Sequence, residues 1–340
     1  MPSTRACGWS GGSRRSDAVA IRAIGTEQIR LGVGARIVDG IRRFLDGDVF
    51  YSFRRSPVTI VASVVTLLLF VAALFAPWLA PYNTYDVASL NLIDAFRPPA
   101  WADSGDPAFL LGTDDQGRDV LSSIMFGLRI SLLVGFASVV LAALFGTLLG
   151  LLSGYVGGAL DSLIMRIADV QLTFPAILIA LLIDGIVGSM LAPAARRDFK
   201  IYVLIFAIAA SLWVNFARTV RGSTMVEKNK EYVQAAKVIG VHPALIMLRH
   251  VLPNVLGPVL VIATLSLAIA VLTEATLSFL GVGVPVTRPS LGTLIRIGND
   301  FLFSGEWWMT IFPGVALVAL VLAVNLLGDW LRDALNPKLR

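Results

Sequence analysis

Cysteine is nearly missing from this chain. Cys7 stands alone, which excludes a disulfide framework and a cysteine-built zinc site. Histidine is almost as scarce, with His242 and His250 only, so no metal-binding set can be assembled from them. Charge is thin as well: 15% of residues are Asp, Glu, Lys or Arg, where soluble domains carry roughly 25%. No glycine is followed by lysine anywhere in the 340 residues, so the chain carries no P-loop and is not expected to bind or hydrolyse ATP. No RNP, zinc-finger or helix-turn-helix pattern accompanies the net charge of +5, and nucleic acid is not an expected partner. No nucleophile stands beside a general base, and catalytic residues, metals and cofactors are not expected in this chain.

Apolar residues fill the space that charge leaves. They make up 56% of the chain, the mean hydropathy is +0.77, and they are gathered into long runs, which is the signature of a membrane protein. Six runs stand out, at about 58–80, 130–154, 170–191, 201–217, 255–284 and 309–330. Most reach the ~20 residues that a spanning helix needs. Open sheets are excluded in lipid because their edges cannot be hydrogen-bonded, and the runs do not alternate as the strands of a β-barrel do. The expected fold is therefore all-α, a polytopic domain of six transmembrane helices over residues 57–340.

Ahead of it, residues 1–35 are rich in Gly, Ser and Arg without periodicity and are expected to be a disordered cytoplasmic tail. Residues 36–56 place Ile37, Ile41, Phe44 and Leu45 at helical spacing among arginines, which suits an amphipathic interfacial helix or a packed surface helix. With the N-terminus inside, the cytoplasmic segments hold twenty Lys and Arg and the external ones eight. The positive-inside rule then puts both termini on the cytoplasmic side of the membrane, although Arg196, Arg197 and Lys200 run against the trend. The external segment 81–129 is rich in aspartate. Its DDQGRD stretch (114–119) lacks the spacing of a calcium loop, and loop and cap roles are expected there.

The cytoplasmic segment 218–254, between the fourth and fifth runs, is more than a connector. Tyr232, Ala235, Ala236 and Ile239 fall on one face of a helix over Glu231–Ile239. Gly240 suits its C′ position. Pro243 suits the first position of a second helical piece reaching Val251, and Pro253 closes the segment. Together these give a helix–turn–helix elbow.

Gln234-Ala235-Ala236, then Gly240, then His250-Val251-Leu252-Pro253 resemble the EAA motif of binding-protein-dependent ABC importer permeases. Gln234 stands where that motif has glutamate and His250 where it has isoleucine, the second change being typical of the peptide-importer branch. The stretches LGTDDQGRDVLSSIMFGLRISLLVG (111–135), GYVGGALDSLIMRIADV (154–170), EATLSFLGVG (274–283) and NLLGDWLRDALNPKLR (325–340) are similar to the dipeptide, oligopeptide and nickel branch, closest to its second, C-type, permease. A departure is PSLG at 289–292, where the branch usually has tryptophan.

The resemblance implies a type I importer fold and half of a translocation pathway for di- or oligopeptides. It implies a second homologous permease, two ABC ATPase subunits that use ATP and Mg, and an extracytoplasmic substrate-binding protein as partners in the bilayer. It also implies that a coupling helix formed by Glu231, Tyr232, Gln234, Ala235, Ala236 and Gly240, followed by His250, Leu252 and Pro253, docks on an ATPase subunit. Nickel or another small solute as cargo stays open, as does an ion-coupled secondary transporter, which inverted repeats would support.

Within the runs, Asp184 and Glu274 are costly in lipid. They are candidates for the translocation path. The alternatives are a hydrated place at the outer end of its span for Asp184 and a packing role for Glu274. Gly146, Gly150 and Gly154 form a small-residue face expected to pack a neighbouring helix closely. Pro175 is expected to kink the third run. Asp329, Arg332 and Asp333 are expected to cap the sixth.

Overall fold

Helix α1 (Pro57–Leu74) begins where Ser56 accepts the backbone N–H of Thr59 on its hydroxyl at 3.3 Å and Pro57 takes the first position. A short α2 (Ala76–Leu79) ends the first apolar run. The computed structural model describes residues 53–85, 91–190, 193–285 and 287–335. The expected tail 1–35 and nearly all of the amphipathic segment 36–56 lie outside them. Residues Ser56–Arg340 form one contact unit. The described residues are helical or irregular, apart from an isolated bridge between Thr113 and Asp119.

Helix α3 (Val120–Val156) starts ten residues before the second apolar run because Asp119 caps it, accepting the Ser122 N–H at 2.8 Å. Its 37 residues extend about 55 Å, well beyond a hydrocarbon core of about 30 Å. Then come α4 (Gly158–Leu172), α5 (Ala176–Met190), α6 (Pro193–Glu227), α7 (Glu231–Val238) and α8 (Pro243–Ile246). The chain ends with α9 (Leu252–Phe279), α10 (Leu291–Phe301) and α11 (Trp308–Leu335). Among the described residues, five stretches are long and apolar enough to cross a membrane: α1, α3, most of α6, the run Pro243–Phe279 and α11.

The third expected span is not a straight helix. α4 and α5 meet at Thr173–Pro175 with a bend of 96°, so that the break expected of Pro175 is a corner rather than a kink. Proline forbids continuation of α4, and side chains hold the corner against α6. Trp213 Nε1 donates to Gln171 Oε1 at 2.7 Å, Gln171 Nε2 donates to the Ala210 carbonyl, and Arg218 pairs with Asp169.

The core follows from small residues. A Cβ on Gly146 would stand 2.5 Å from Phe216 Cβ, one on Gly150 2.9 Å from Val220 Cβ, and one on Gly154 2.8 Å from the Arg221 carbonyl. The stripe therefore lets α3 and α6 touch backbone to backbone, as its spacing predicts. Their shared core contains Val134, Ala142, Ala207, Ile208, Phe216 and Val220, all 0% exposed. A second core joins α1, α3, α9, α10 and α11 around Leu128, Leu291 and Leu320.

Between α9 and α11, Ser290 caps α10 through the Thr293 N–H at 3.4 Å. A further expectation is corrected: Pro253 does not close the elbow. Met247–Val251 is a π turn in which Leu252 N–H reaches the Met247 carbonyl. The wider turn accommodates a proline that would clash in an α-helix, and the helix runs on from Pro243 to Phe279.

Candidate functional site

The elbow is built at the end of α6. Lys228 Nζ donates to the carbonyl of Gly154 at 2.6 Å, fastening the last turn of α6 to the last turn of α3 and supplying a cation to a helix C-terminus. A turn over Lys228–Lys230 reverses the chain into α7. There Lys230 Nζ pairs with Glu227 Oε2 at 2.8 Å, and Gln234 Nε2 donates to the Lys228 carbonyl at 2.9 Å.

Helix α7 ends in a Schellman turn. Gly240 N–H donates to the Lys237 carbonyl at 3.0 Å and Val241 N–H to that of Ala236 at 3.1 Å, with Gly240 at φ +82°. A Cβ on Gly240 would meet nothing within 4 Å, so glycine is needed there for its backbone angle and not for space. His242 then caps α8, its Nδ1 accepting the Ala244 N–H at 3.3 Å, with Pro243 in the first position.

Ala236 does not share an outward face with Tyr232, Ala235 and Ile239. Val233 and Ala236 point inward at 0% and 5% exposure, while Ile239 is 79% exposed and Val238 90%. Glu231, Gln234 and Ala235 are exposed as well. A short helix with apolar residues on every side can be turned either way by sequence alone, and here the packing of Val233 against the core of α3 and α6 decides. What faces outward is an apolar tip of Ala235, Val238 and Ile239.

Tyr232 lies between the two faces. Its phenol donates to Glu227 Oε1 and accepts Asn254 Nδ2 at 2.9 Å. Its ring stacks on His250 with centroids 6.5 Å apart. Asn254 Nδ2 also reaches the His250 carbonyl at 2.7 Å. Removal of the phenol from water, and then the neighbouring Glu227 carboxylate, push its pKa up to about 12. Leu252 is half-buried and Pro253 exposed.

Glu274 is far from this elbow, near the opposite end of α9, and is 0% exposed. Ser131 Oγ of α3 donates to its Oε2 and Ser278 Oγ to its Oε1, each at 2.7 Å. Leu291 N–H, at the start of α10, in turn donates to Ser131 Oγ at 3.3 Å. The surroundings are tight: a Cβ on Gly292 would lie 2.5 Å from Ala275 Cα, and one on Gly283 2.7 Å from Ser278 Cβ. The expected pathway candidate is thus a carboxyl enclosed within the subunit, where it fastens α3, α9 and α10 together. Asp184 is half-buried on α5. The two candidates are not brought together.

Residues 146–340 match the family described as the binding-protein-dependent transport system inner membrane component, more than half of the chain. The chain belongs to that family. It is a multi-pass inner-membrane permease of an ABC importer, as its motifs imply. Residues 47–99 of the permease match a second family, the N-terminal transmembrane domain of oligopeptide transport permease C.

The permease is 39% identical over 293 residues to the dipeptide transport system permease protein DppC of Haemophilus influenzae, covering 86% of this chain and 95% of that one. It is 40% identical to the dipeptide transport system permease protein DppC of Escherichia coli strain K12, covering 86% and 93% of the two chains. It is 36% identical to the oligopeptide transport system permease protein OppC of Bacillus subtilis, covering 86% and 90%.

Sequence reasoning missed four elbow residues of this permease: Glu227, Lys228, Val233 and Asn254. Lys228 and Asn254 are polar residues at the two edges of the elbow, the places from which a side chain can reach back to a helix end. Among the described aspartates of residues 81–129, Asp114 forms a turn and Asp119 a helix cap. Asp114 accepts the N–H groups of Gln116 and Arg118 at 2.9 and 2.8 Å, and its other oxygen pairs with Arg118 Nε at 2.6 Å.

Proposed function

We propose that this permease forms half of the translocation pathway of an ATP-driven importer of di- or oligopeptides, with α7 as the helix that docks on an ATPase subunit. The outward tip of α7 carries this reading. Ala235, Val238 and Ile239 stand in the open on a helix whose base is fastened to α3 and α6, and nothing in the subunit's own core requires apolar residues there. Burying Val238 and Ile239 in a partner's groove supplies about 2 kcal/mol each, and Ala235 lets a partner's backbone come close. The names of the relatives favour peptides as cargo.

With no P-loop in the sequence, ATP and Mg are work for partner subunits. The complement is a second, homologous permease, two ATPases and an extracytoplasmic binding protein that delivers the substrate. The excess of Lys and Arg on the elbow's side, twenty against eight, supports cytoplasmic termini and a cytoplasmic elbow. ATP-driven closure then shifts the populations of inward- and outward-facing states. Asp184 is the remaining candidate for the path, and Glu274 is assigned to fastening.

Purification of the tagged chain in mild detergent tests this reading, with mass spectrometry of what accompanies it. A second permease with P-loop ATPases, and dipeptide uptake that depends on ATP, is the expected result. A chain that comes out alone and moves solute without ATP is a secondary transporter instead.

A further inference from the structure

Helix α7 is eight residues long and hangs between two turns, Lys228–Lys230 on one side and the Schellman turn at Gly240 on the other. The second turn is open, since a Cβ at Gly240 would meet no atom. A force on the tip of such a helix is readily absorbed by swivelling of the turns. A cross-tie opposes this. The phenol oxygen of Tyr232 donates to Glu227 Oε1 on the last turn of α6 and accepts Asn254 Nδ2 on the first turn of α9, at 2.9 Å. One atom of α7 therefore touches both long helices that leave the elbow. Each side of the tie is itself held: Glu227 by Lys230 at 2.8 Å, and Asn254 by the His250 carbonyl at 2.7 Å. The bond to an ionised carboxylate is of the stronger kind.

We propose that Tyr232 is a positioning residue for energy coupling, its phenol oxygen tying α7 to α6 and α9 so that displacement of the docked helix reaches both spans. The assignment rests on the reading of α7 as the docking helix. It separates two jobs within the elbow. The Ala235–Val238–Ile239 tip holds the ATPase, and Tyr232 passes on its movement. Removing the tie leaves docking and ATP hydrolysis in place and uncouples them from the spans.

The test uses the whole transporter, purified with its ATPase subunits, in nanodiscs and a Cys7→Ser background. Cysteines are placed singly at the ends of the two helices away from the elbow, Tyr202→Cys on α6 and Leu280→Cys just past α9, both exposed at 67% and 54%. Maleimide labelling is timed with and without a non-hydrolysable ATP analogue. In the otherwise unaltered protein the nucleotide changes the labelling rate at both positions.

Tyr232→Phe keeps the ring on His250 and deletes only the oxygen. Expected are an unchanged ratio of ATPase to permease, ATP hydrolysis within about twofold, and a nucleotide effect on labelling reduced about tenfold, the factor that one charge-assisted hydrogen bond represents in an equilibrium. Glu227→Gln, which keeps an acceptor for the phenol but loses the charge and the pairing with Lys230, gives an effect between those of wild type and Tyr232→Phe. A full labelling response in Tyr232→Phe overturns the proposal. So does loss of the ATPase subunits from that variant, which makes the phenol part of the fold or the dock. Absence of any nucleotide effect in the unaltered protein overturns it as well. Ala235→Trp checks the underlying reading separately: it strips the ATPase subunits if α7 docks them, and retention of them removes the docking assignment itself.

Discussion

The elbow and the knot around Glu274 occupy opposite ends of α9 and use the same kinds of residue for opposite purposes. Each has an acidic side chain that binds hydroxyl groups, and each depends on glycine. At the knot the carboxyl is sealed among Ser131, Ser278 and the start of α10, and the glycines are there because no methyl group fits. At the elbow Glu227 holds a tyrosine that is 39% exposed, and Gly240 has open space around it. A sealed carboxyl fixes helices relative to one another. A carboxyl that is itself buried, with Glu227 6% exposed, but that grips a tyrosine at the water's edge between two turns can hold a helix that must also be moved. The difference assigns immobility to one end of α9 and transmitted motion to the other.

The sharpest way to break this contrast is to put the same side chain at both glycines. In Gly292→Leu the new Cβ meets the backbone of Ala275, which cannot yield as a side chain does. The cost is more than about 3 kcal/mol, and loss of the monodisperse peak in fluorescence-detected gel filtration is expected. Gly240→Leu meets only the strain of a positive φ, about 1–2 kcal/mol, and keeps its peak. Its transport is lost, because the strain is relieved by reorienting α7. Equal effects on folding at the two sites would dissolve the distinction between steric and conformational glycine.

Next in size is the carboxyl of the knot. Glu274→Ala leaves two buried serine hydroxyls without their acceptor and opens a cavity, a loss of about 3 kcal/mol read as a fall in melting temperature in detergent. Glu274→Gln keeps an acceptor and a similar volume, and loses less than half as much. At a temperature where both variants are folded, uptake follows folding. Full stability with abolished uptake in Glu274→Ala returns this residue to the pathway. A smaller effect belongs to the cap of α3: Asp119→Ala costs about 1 kcal/mol, seen as a modest lowering of the same melting temperature.

Much of the elbow was legible because its signals are local. Gly240 and Pro243 act within a few residues of themselves, and the structure has them at the C′ and first helical positions that their spacing predicts. Helix α10 went unread, although Ser290 precedes Leu291, Leu294 and Ile295 at helical spacing, because a segment between two membrane runs invites reading as a loop. The role of Glu274 was not legible, since its partner Ser131 lies 143 positions away and only the packing of α3 on α9 brings them together. Nor was the corner at Pro175. Proline announces a break, but the angle is set by Gln171 and Asp169 gripping α6. The inward turn of Ala236 was not legible for a related reason, because Tyr232, Val233, Ala236 and Ile239 give an eight-residue helix no single apolar side.

The smallest effect is a titration, and it sharpens the comparison because only the elbow's group meets water. A tyrosine is neutral below its pKa, and the fold raises that of Tyr232 from about 10 to about 12. The folded state therefore holds this proton more tightly than the unfolded chain does. The associated stability is fully present below pH 10 and is lost as pH rises through 12. In the difference between wild type and Tyr232→Phe, tyrosinate absorbance should stay flat through pH 10 and rise only on the approach to 12. The stability advantage of wild type over the variant should shrink over the same window. A midpoint near 10 means that the phenol is neither withdrawn from water nor bound to Glu227. The tie between α6, α7 and α9 would then be absent in solution, and the elbow would have to transmit force through the packing of Val233 and Ala236 alone.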